Sequence, residues 1–185
     1  EPDLQKDGNK LNILLNISEG TRARVRQIHI TGNQRTKEKV LRRQLEIAPG
    51  DYYRQTQLIR TQQNIYNLGF FEPDIKLDYT TINSDGDIDL QIDVIDKSSG
   101  VANGGVGYNS QDKFVGQLSV SMNNLFGNNW ASSLSWEFGG STQNFEFSFT
   151  NPNFLDTDIL LGTNLYYTTK EWSSFFYKIS TRGAS

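Results

Sequence analysis

The chain has 185 residues, with 18 Lys and Arg against 21 Asp and Glu, for a formal net charge of −3. That length holds one ordinary domain, or a small one joined to part of something larger. It contains no cysteine, which excludes a disulfide framework and thiolate chemistry, and no apolar run reaches the ~18–20 residues of a membrane helix.

Charge and aromatic content divide the chain. Residues 1–100 carry 29 of the 39 charged side chains, and residues 101–185 carry 16 of the 22 aromatic ones. One uniform fold seldom splits so cleanly, so a boundary is expected near Lys97–Gly100. The opening Glu1-Pro2-Asp3-Leu4 carries no signal peptide, and the start is expected to be a processed end or a cut.

Leu11, Ile13, Leu15 and Ile17 alternate as one face of a strand that follows Asp7-Gly8. The same phrase returns after Asp85-Gly86 as Ile88, Leu90, Ile92 and Val94. A repeat 77 residues apart reads as the end of one module followed by a full copy of it. Residues 1–20 are then an orphan strand, and residues 21–97 a complete domain. Its first strand is predicted over Ala23–Ile30, with a phase slip between Val25 and Ile28 that suggests a bulge or an edge strand. Gly32-Asn33 turns the chain. Thr36 is the expected N-cap of a helix running through Leu45, with Val40, Leu41 and Leu45 inward. A second helix is expected over Thr56–Leu68, with Leu58, Ile65 and Leu68 inward and Gly69 as its stop. Phe70-Phe71 anchors the helices. Strands over Ile75–Thr81 and Ile88–Ile95 flank a turn at Asn83-Ser84-Asp85-Gly86. The order is β-α-α-β-β, with two helices on one sheet face.

From residue 98 the reading is all strand. Gly104-Gly105-Val106-Gly107-Tyr108-Asn109 is a poor first strand, because three of its six residues are glycine and few side chains can pack. Phe114–Met122 alternates next. In the following strand Trp130, Leu134, Trp136 and Phe138 oppose Ala131, Ser133, Ser135 and Glu137. Phe145, Phe147 and Phe149 oppose Glu146, Ser148 and Thr150. A fifth segment covers Ile159–Thr168, and residues 171–185 read as an unfinished loop or strand. Alternation alone fits a soluble sandwich as well as a membrane barrel. Large aromatic residues against a small polar face suit a lipid-facing exterior and a wet interior.

No reading as an enzyme arises. His29 is the only histidine and sits in a strand with no second ligand type beside it. Asp85, Asp87 and Asp89 lack the frame and distal Glu of a calcium loop and read as a turn and a solvent face. Gly104-Gly105-x-Gly107 lacks the strand–helix context of a dinucleotide site. No metal or cofactor is expected. Arg22–Arg60 holds ten Lys or Arg against three acids, whereas residues 61–96 hold one Lys against eight acids. The Tyr52–Tyr53 pair is the only aromatic content of the basic run, so nucleic acid is not expected. A solvated face, or a docking surface for a partner or for acidic headgroups, fits it, with Arg35, Arg42 and Arg43 as docking candidates.

Five motifs in order resemble the family of outer-membrane assembly factors that join POTRA modules to a C-terminal barrel. Gly32-Asn33-Gln34-Arg35-Thr36 resembles the POTRA turn into its first helix, and Leu68-Gly69-Phe70-Phe71 the end of its second. Gly105-Val106-Gly107-Tyr108 resembles the first barrel strand. Asn124-Leu125-Phe126-Gly127 and Thr150-Asn151-Pro152-Asn153-Phe154 resemble periplasmic turns. The resemblance implies that residues 1–20 end a preceding POTRA, that 21–97 form the last POTRA, and that 98–185 supply about five of some sixteen barrel strands. It also implies an outer-membrane site with the POTRA in the periplasm. The expected partners are unfolded outer-membrane protein substrates, accessory lipoproteins of an assembly complex, and outer-membrane lipid. On this reading Gly104–Asn109 forms a seam that opens sideways and templates an incoming strand, while Trp130, Leu134, Trp136, Phe138, Phe145, Phe147 and Phe149 face lipid. Glycines that merely make room for bulk, a secretion pore of the same family, and a passive structural barrel are the alternatives.

Overall fold

The computed structural model describes residues 3–7, 10–14, 22–82, 86–110, 112–172 and 177–185. At the start, β1 (Asp3–Asp7) and β2 (Lys10–Leu14) form an antiparallel hairpin with Asp7 opposite Lys10. The predicted strand is therefore present over its first half, but it has a partner. The Asp3–Asp7 strand escaped the pattern because it is mostly polar. Leu15 and Ile17 lie outside the described residues.

The α+β module follows the predicted order: β3 (Val25–Thr31), α1 (Glu38–Arg42), α2 (Gln55–Asn67), β4 (Lys76–Thr81) and β5 (Ile88–Asp93). Its sheet runs β3-β5-β4, with β3 parallel and β4 antiparallel to β5. The phase slip in β3 is a bulge: the register jumps between Val25 and Gln27. That extra residue lets Val25 and Ile28, three apart, both enter the core, which strict alternation forbids. Arg26 is thereby turned outward, where its guanidinium grips Asp89 through two bonds of 3.0 and 2.6 Å. Ile88, Leu90, Ile92 and Val94 are all buried, packed with Val40, Leu41, Leu58 and Ile65 of the helices. Tyr79 shares the alternation of Ile75 and Leu77 but lies beyond the helices and stays exposed, its ring 5.5 Å from that of Tyr53.

Two expectations about the first helix are corrected. It ends at Arg42 rather than Leu45, and the chain tightens there through a Gln44 N–H to Leu41 C=O bond. Thr36 is not its cap: the capping position is Lys37, with no side-chain bond. The Thr36 side chain is buried and occupied elsewhere, as described below. The Gly69 stop holds, with φ +79°.

The remainder is a six-stranded antiparallel meander rather than five strands. Its members are β6 (Gly100–Asn109), β7 (Lys113–Leu125), β8 (Trp130–Phe138), β9 (Thr142–Asn151), β10 (Leu161–Trp172) and β11 (Tyr177–Ala184). Every buried apolar core residue among those described lies between Val25 and Val94. Among the described residues no second layer covers the meander, as a soluble sandwich would need. The barrel is not closed in this chain: among the described residues β6 pairs only with β7, and β11 only with β10.

Candidate functional site

Three features converge on the meander: the edge of β6, the two faces, and the junction with the α+β module. The β6 strand is longer than predicted, and all ten of its residues are exposed. It pairs with β7 along its whole length, from Gly100–Met122 to Asn109–Lys113. Its inner edge is thus fully registered, and any weakness belongs to the outer one. The glycines do not share one steric reason. A Cβ at Gly104 would sit 3.2 Å from a Leu118 side-chain tip and one at Gly107 3.3 Å from a methyl of the stiffer Val115, whereas at Gly105 it would meet nothing within 4 Å. Val106 and Tyr108 project with little cover, Val106 at 89 % exposure, and the Tyr108 and Phe114 rings meet edge to face at 5.4 Å. A β7 glycine that sequence reasoning did not single out is more constrained than any of these three. A Cβ at Gly116 would lie 2.3 Å from the Phe138 ring, which rests across it. Only the pairing of Gly116 with Phe138 reveals this.

Register brings the predicted apolar residues onto one face. Leu118, Trp136, Phe145 and Tyr167 form one cross-strand row, and Val120, Leu134, Phe147 and Leu165 the next. Trp136 packs on Phe138 at 4.8 Å, and Trp130 meets Phe149 edge-on at 5.6 Å. Trp136 remains 46 % exposed despite these contacts. The opposite face carries Gln117, Glu137, Asn144 and Thr168 in one row, with Thr168 bonded to Asn144 at 2.7 Å and Asn164 to Glu146 at 3.0 Å.

The junction is built from the segment leading into α1 and two turns of the meander. The Arg35 and Thr36 backbone N–H groups donate to Asp96 Oδ2 at 2.6 and 3.4 Å, and the Thr36 hydroxyl donates to Asp96 Oδ1 at 2.6 Å. The same hydroxyl accepts from Asn124 Nδ2 at 2.7 Å. Next to it the Lys37 N–H donates to the Gly127 carbonyl at 2.9 Å. Gly127 has φ +70°, and a Cβ there would stand 2.2 Å from the Arg35 carbonyl oxygen, so only glycine allows the backbones this close. On the second turn Lys39 Nζ and Arg43 Nη2 both donate to Asp156 Oδ1, at 3.0 and 2.6 Å. The two cations, Lys39 first, hold the Asp156 carboxyl below the usual carboxylate range. Leu155 and Asp156 both have left-handed φ, +53° and +62°.

Of the docking candidates, Arg43 therefore spends its guanidinium inside the chain. Arg42 bonds Glu38 at 2.8 Å and the Ile28 carbonyl at 3.4 Å. Arg35 contributes its backbone to the junction, and its exposed side chain makes no ion pair among the described residues.

Comparison with known proteins follows these divisions. Residues 23–96 match the POTRA model, described as a surface antigen variable number repeat, and residues 124–185 match the Omp85 superfamily domain. The outer membrane protein assembly factor BamA of Neorickettsia risticii is 28 % identical over 98 % of this chain and 25 % of its own length. BamA of Neisseria meningitidis is 29 % identical over 94 % of this chain and 22 % of its own. The crystal structure of BamA from Haemophilus ducreyi lacking POTRA domains 1–3 has the same fold, with a TM-score of 0.78 and 24 % identity, over all of this chain and 36 % of that one. The chain spans a quarter or less of the length of the curated relatives it matches. A bulged three-stranded module, clasped to an uncovered meander with one aromatic and one polar face, is thus a POTRA joined to the opening strands of a barrel, and the chain belongs to the BamA-like family of outer-membrane assembly factors.

Proposed function

We propose that this chain is the part of an assembly factor that hands unfolded outer-membrane proteins from the periplasm to a lateral seam, where β6 templates their first strand. The POTRA (residues 21–97) stands in the periplasm, and residues 1–20 end the POTRA before it. The row of Trp130, Leu134, Trp136, Phe138, Phe145, Phe147 and Phe149 faces lipid, and the Gln117–Glu137 face lines a wet interior.

The outer edge of β6 carries the reading. As the first strand of the meander β6 forms one side of the seam at which a barrel closes, and among the described residues it pairs with β7 alone. In hydrocarbon each unsatisfied backbone group costs several kcal/mol, so an arriving strand gains most where such groups are offered. The glycine backbones at Gly104, Gly105 and Gly107 conform to many incoming sequences. The work is then non-enzymatic and needs no cofactor. It draws on strand pairing alone. Accessory lipoproteins dock on the basic POTRA face at Arg35 and Arg42. A charge reversal at Arg35 and Arg42 that leaves lipoprotein pull-down unchanged would remove that part.

The test is site-specific crosslinking from Val106 and Tyr108 in the full-length protein during substrate assembly. Capture of the incoming substrate strand is expected. Capture only of the barrel's own closing strand would refute templating.

A further inference from the structure

The turn after β9 does more than join two strands. Phe154 and Leu155 stand exposed at its tip, Leu155 at 79 %. Lys39 and Arg43 of the POTRA reach down to Asp156 beside them. Trp130 closes the third side of this cleft. By register Trp130 lies on the apolar face of the meander, next to Phe149, at the end nearest the POTRA. The cleft thus places two cations directly against an aromatic and two exposed apolar side chains.

We propose that this cleft between α1 and the turn after β9 binds the headgroup of an anionic phospholipid of the periplasmic leaflet. The inference rests on the reading that the aromatic face meets lipid. Three features favour a lipid over a soluble anion. A Trp on the apolar face at the rim of a barrel occupies the level where aromatic girdles meet headgroups. Among the described residues Phe154 and Leu155 have no protein layer over them, and they offer the apolar surface that acyl chains cover. The cations come from the soluble module, so they lie on the water side of that boundary.

Asp156 is the competitor. Lys39 and Arg43 share one of its carboxylate oxygens, so the cluster is net +1 and is held closed without a ligand. A lipid phosphate takes both donors from Asp156 and leaves that carboxylate to water, to which it is already largely open. The lipid then bridges POTRA and barrel in place of the turn.

The test uses the full-length protein in vesicles of phosphatidylethanolamine with one-fifth phosphatidylglycerol. Lipid retained on the protein is read by native mass spectrometry. Wild type is expected to keep phosphatidylglycerol over phosphatidylethanolamine by roughly fivefold beyond the vesicle ratio, the worth of about one net surface charge. The double variant K39Q/R43Q should lose that preference. D156N should strengthen it, because the competing carboxylate is gone. A clasp that is only structural predicts instead that D156N leaves retention unchanged or lowers it. Equal retention of the two lipids by wild type, or an unchanged preference in K39Q/R43Q, overturns the proposal. So does retention driven equally by free inorganic phosphate competing in solution. A heat-modifiability gel run on each sample shows whether the barrel has formed. Failure there would sink the barrel reading itself, whereas a formed barrel without lipid preference sinks only this inference.

Discussion

Replacing Thr36 with Val tests the junction most sharply, because the side chain keeps its volume and loses only its hydroxyl. Thr36 is 2 % exposed, and that hydroxyl donates to the Asp96 carboxylate at 2.6 Å and accepts from Asn124 at 2.7 Å. A bond to a charged acceptor contributes about 1.5–3 kcal/mol and a neutral one about 0.5–1.5 kcal/mol. The POTRA has its own core, so residues 22–97 can be unfolded in urea by themselves. There only the Asp96 bond is at stake, and a loss of about 1.5–3 kcal/mol is expected. With an m-value of about 1 kcal/mol/M for a domain of this size, the midpoint should fall by roughly 2 M. A D96A partner allows a double-mutant cycle. The two changes should be less than additive, with a coupling of about 1 kcal/mol or more, because they break the same bond. Additive effects would mean that Thr36 acts as a local helix cap, and the account of the junction would fail. In the full-length protein, T36V should also speed amide exchange in the Asn124–Asn129 turn, which a capping role would not touch.

Gly32→Ala should cost more than about 3 kcal/mol in the same urea assay, since φ is +87° and the new Cβ would fall 1.8 Å from the Val94 carbonyl oxygen. The meander offers a contrasting pair: G116V should block formation of a heat-modifiable barrel by displacing Phe138, whereas G105A should form one normally and slow substrate assembly. Acid should loosen the POTRA in a defined window. Asp89, held by Arg26, and Asp93, held by the Thr31 hydroxyl and then Gln91, both have folded pKa values lowered. Their contribution is fully present above the unfolded value of about 4 and is lost as pH falls through the lower folded values. Urea midpoints should be flat from pH 7 to about 5 and fall below about 4, and R26Q should remove part of that fall.

Local pattern carried much of this fold and failed where partners are distant. The bulge in β3 was legible because Val25 and Ile28 break the alternation by one residue. The order β-α-α-β-β was legible because each element has its own period and its own stop, as at Gly69. Thr36 resembled a cap by position, but its real partners, Asp96 and Asn124, lie 60 and 88 residues away. The β11 strand was obscured because Lys178, Ser180 and Arg182 occupy the face that Phe145 and Phe147 hold two strands earlier. No apolar rhythm marks it, and pairing to β10 alone makes it a strand. At the edge, the glycines of β6 were visible but their meaning was not. Gly105 has open space around it, and Gly116, unremarked, has none.

Amide hydrogen exchange along Gly100–Asn109 in the full-length barrel, with and without an unfolded substrate, puts the central claim to its most direct test. Alternate β6 amides point toward β7 and the rest outward. Without substrate, the inward set should exchange slowly and the outward set quickly, and substrate should slow the outward set alone. Uniform protection before substrate arrives, or an outward set that substrate leaves fast, would contradict it.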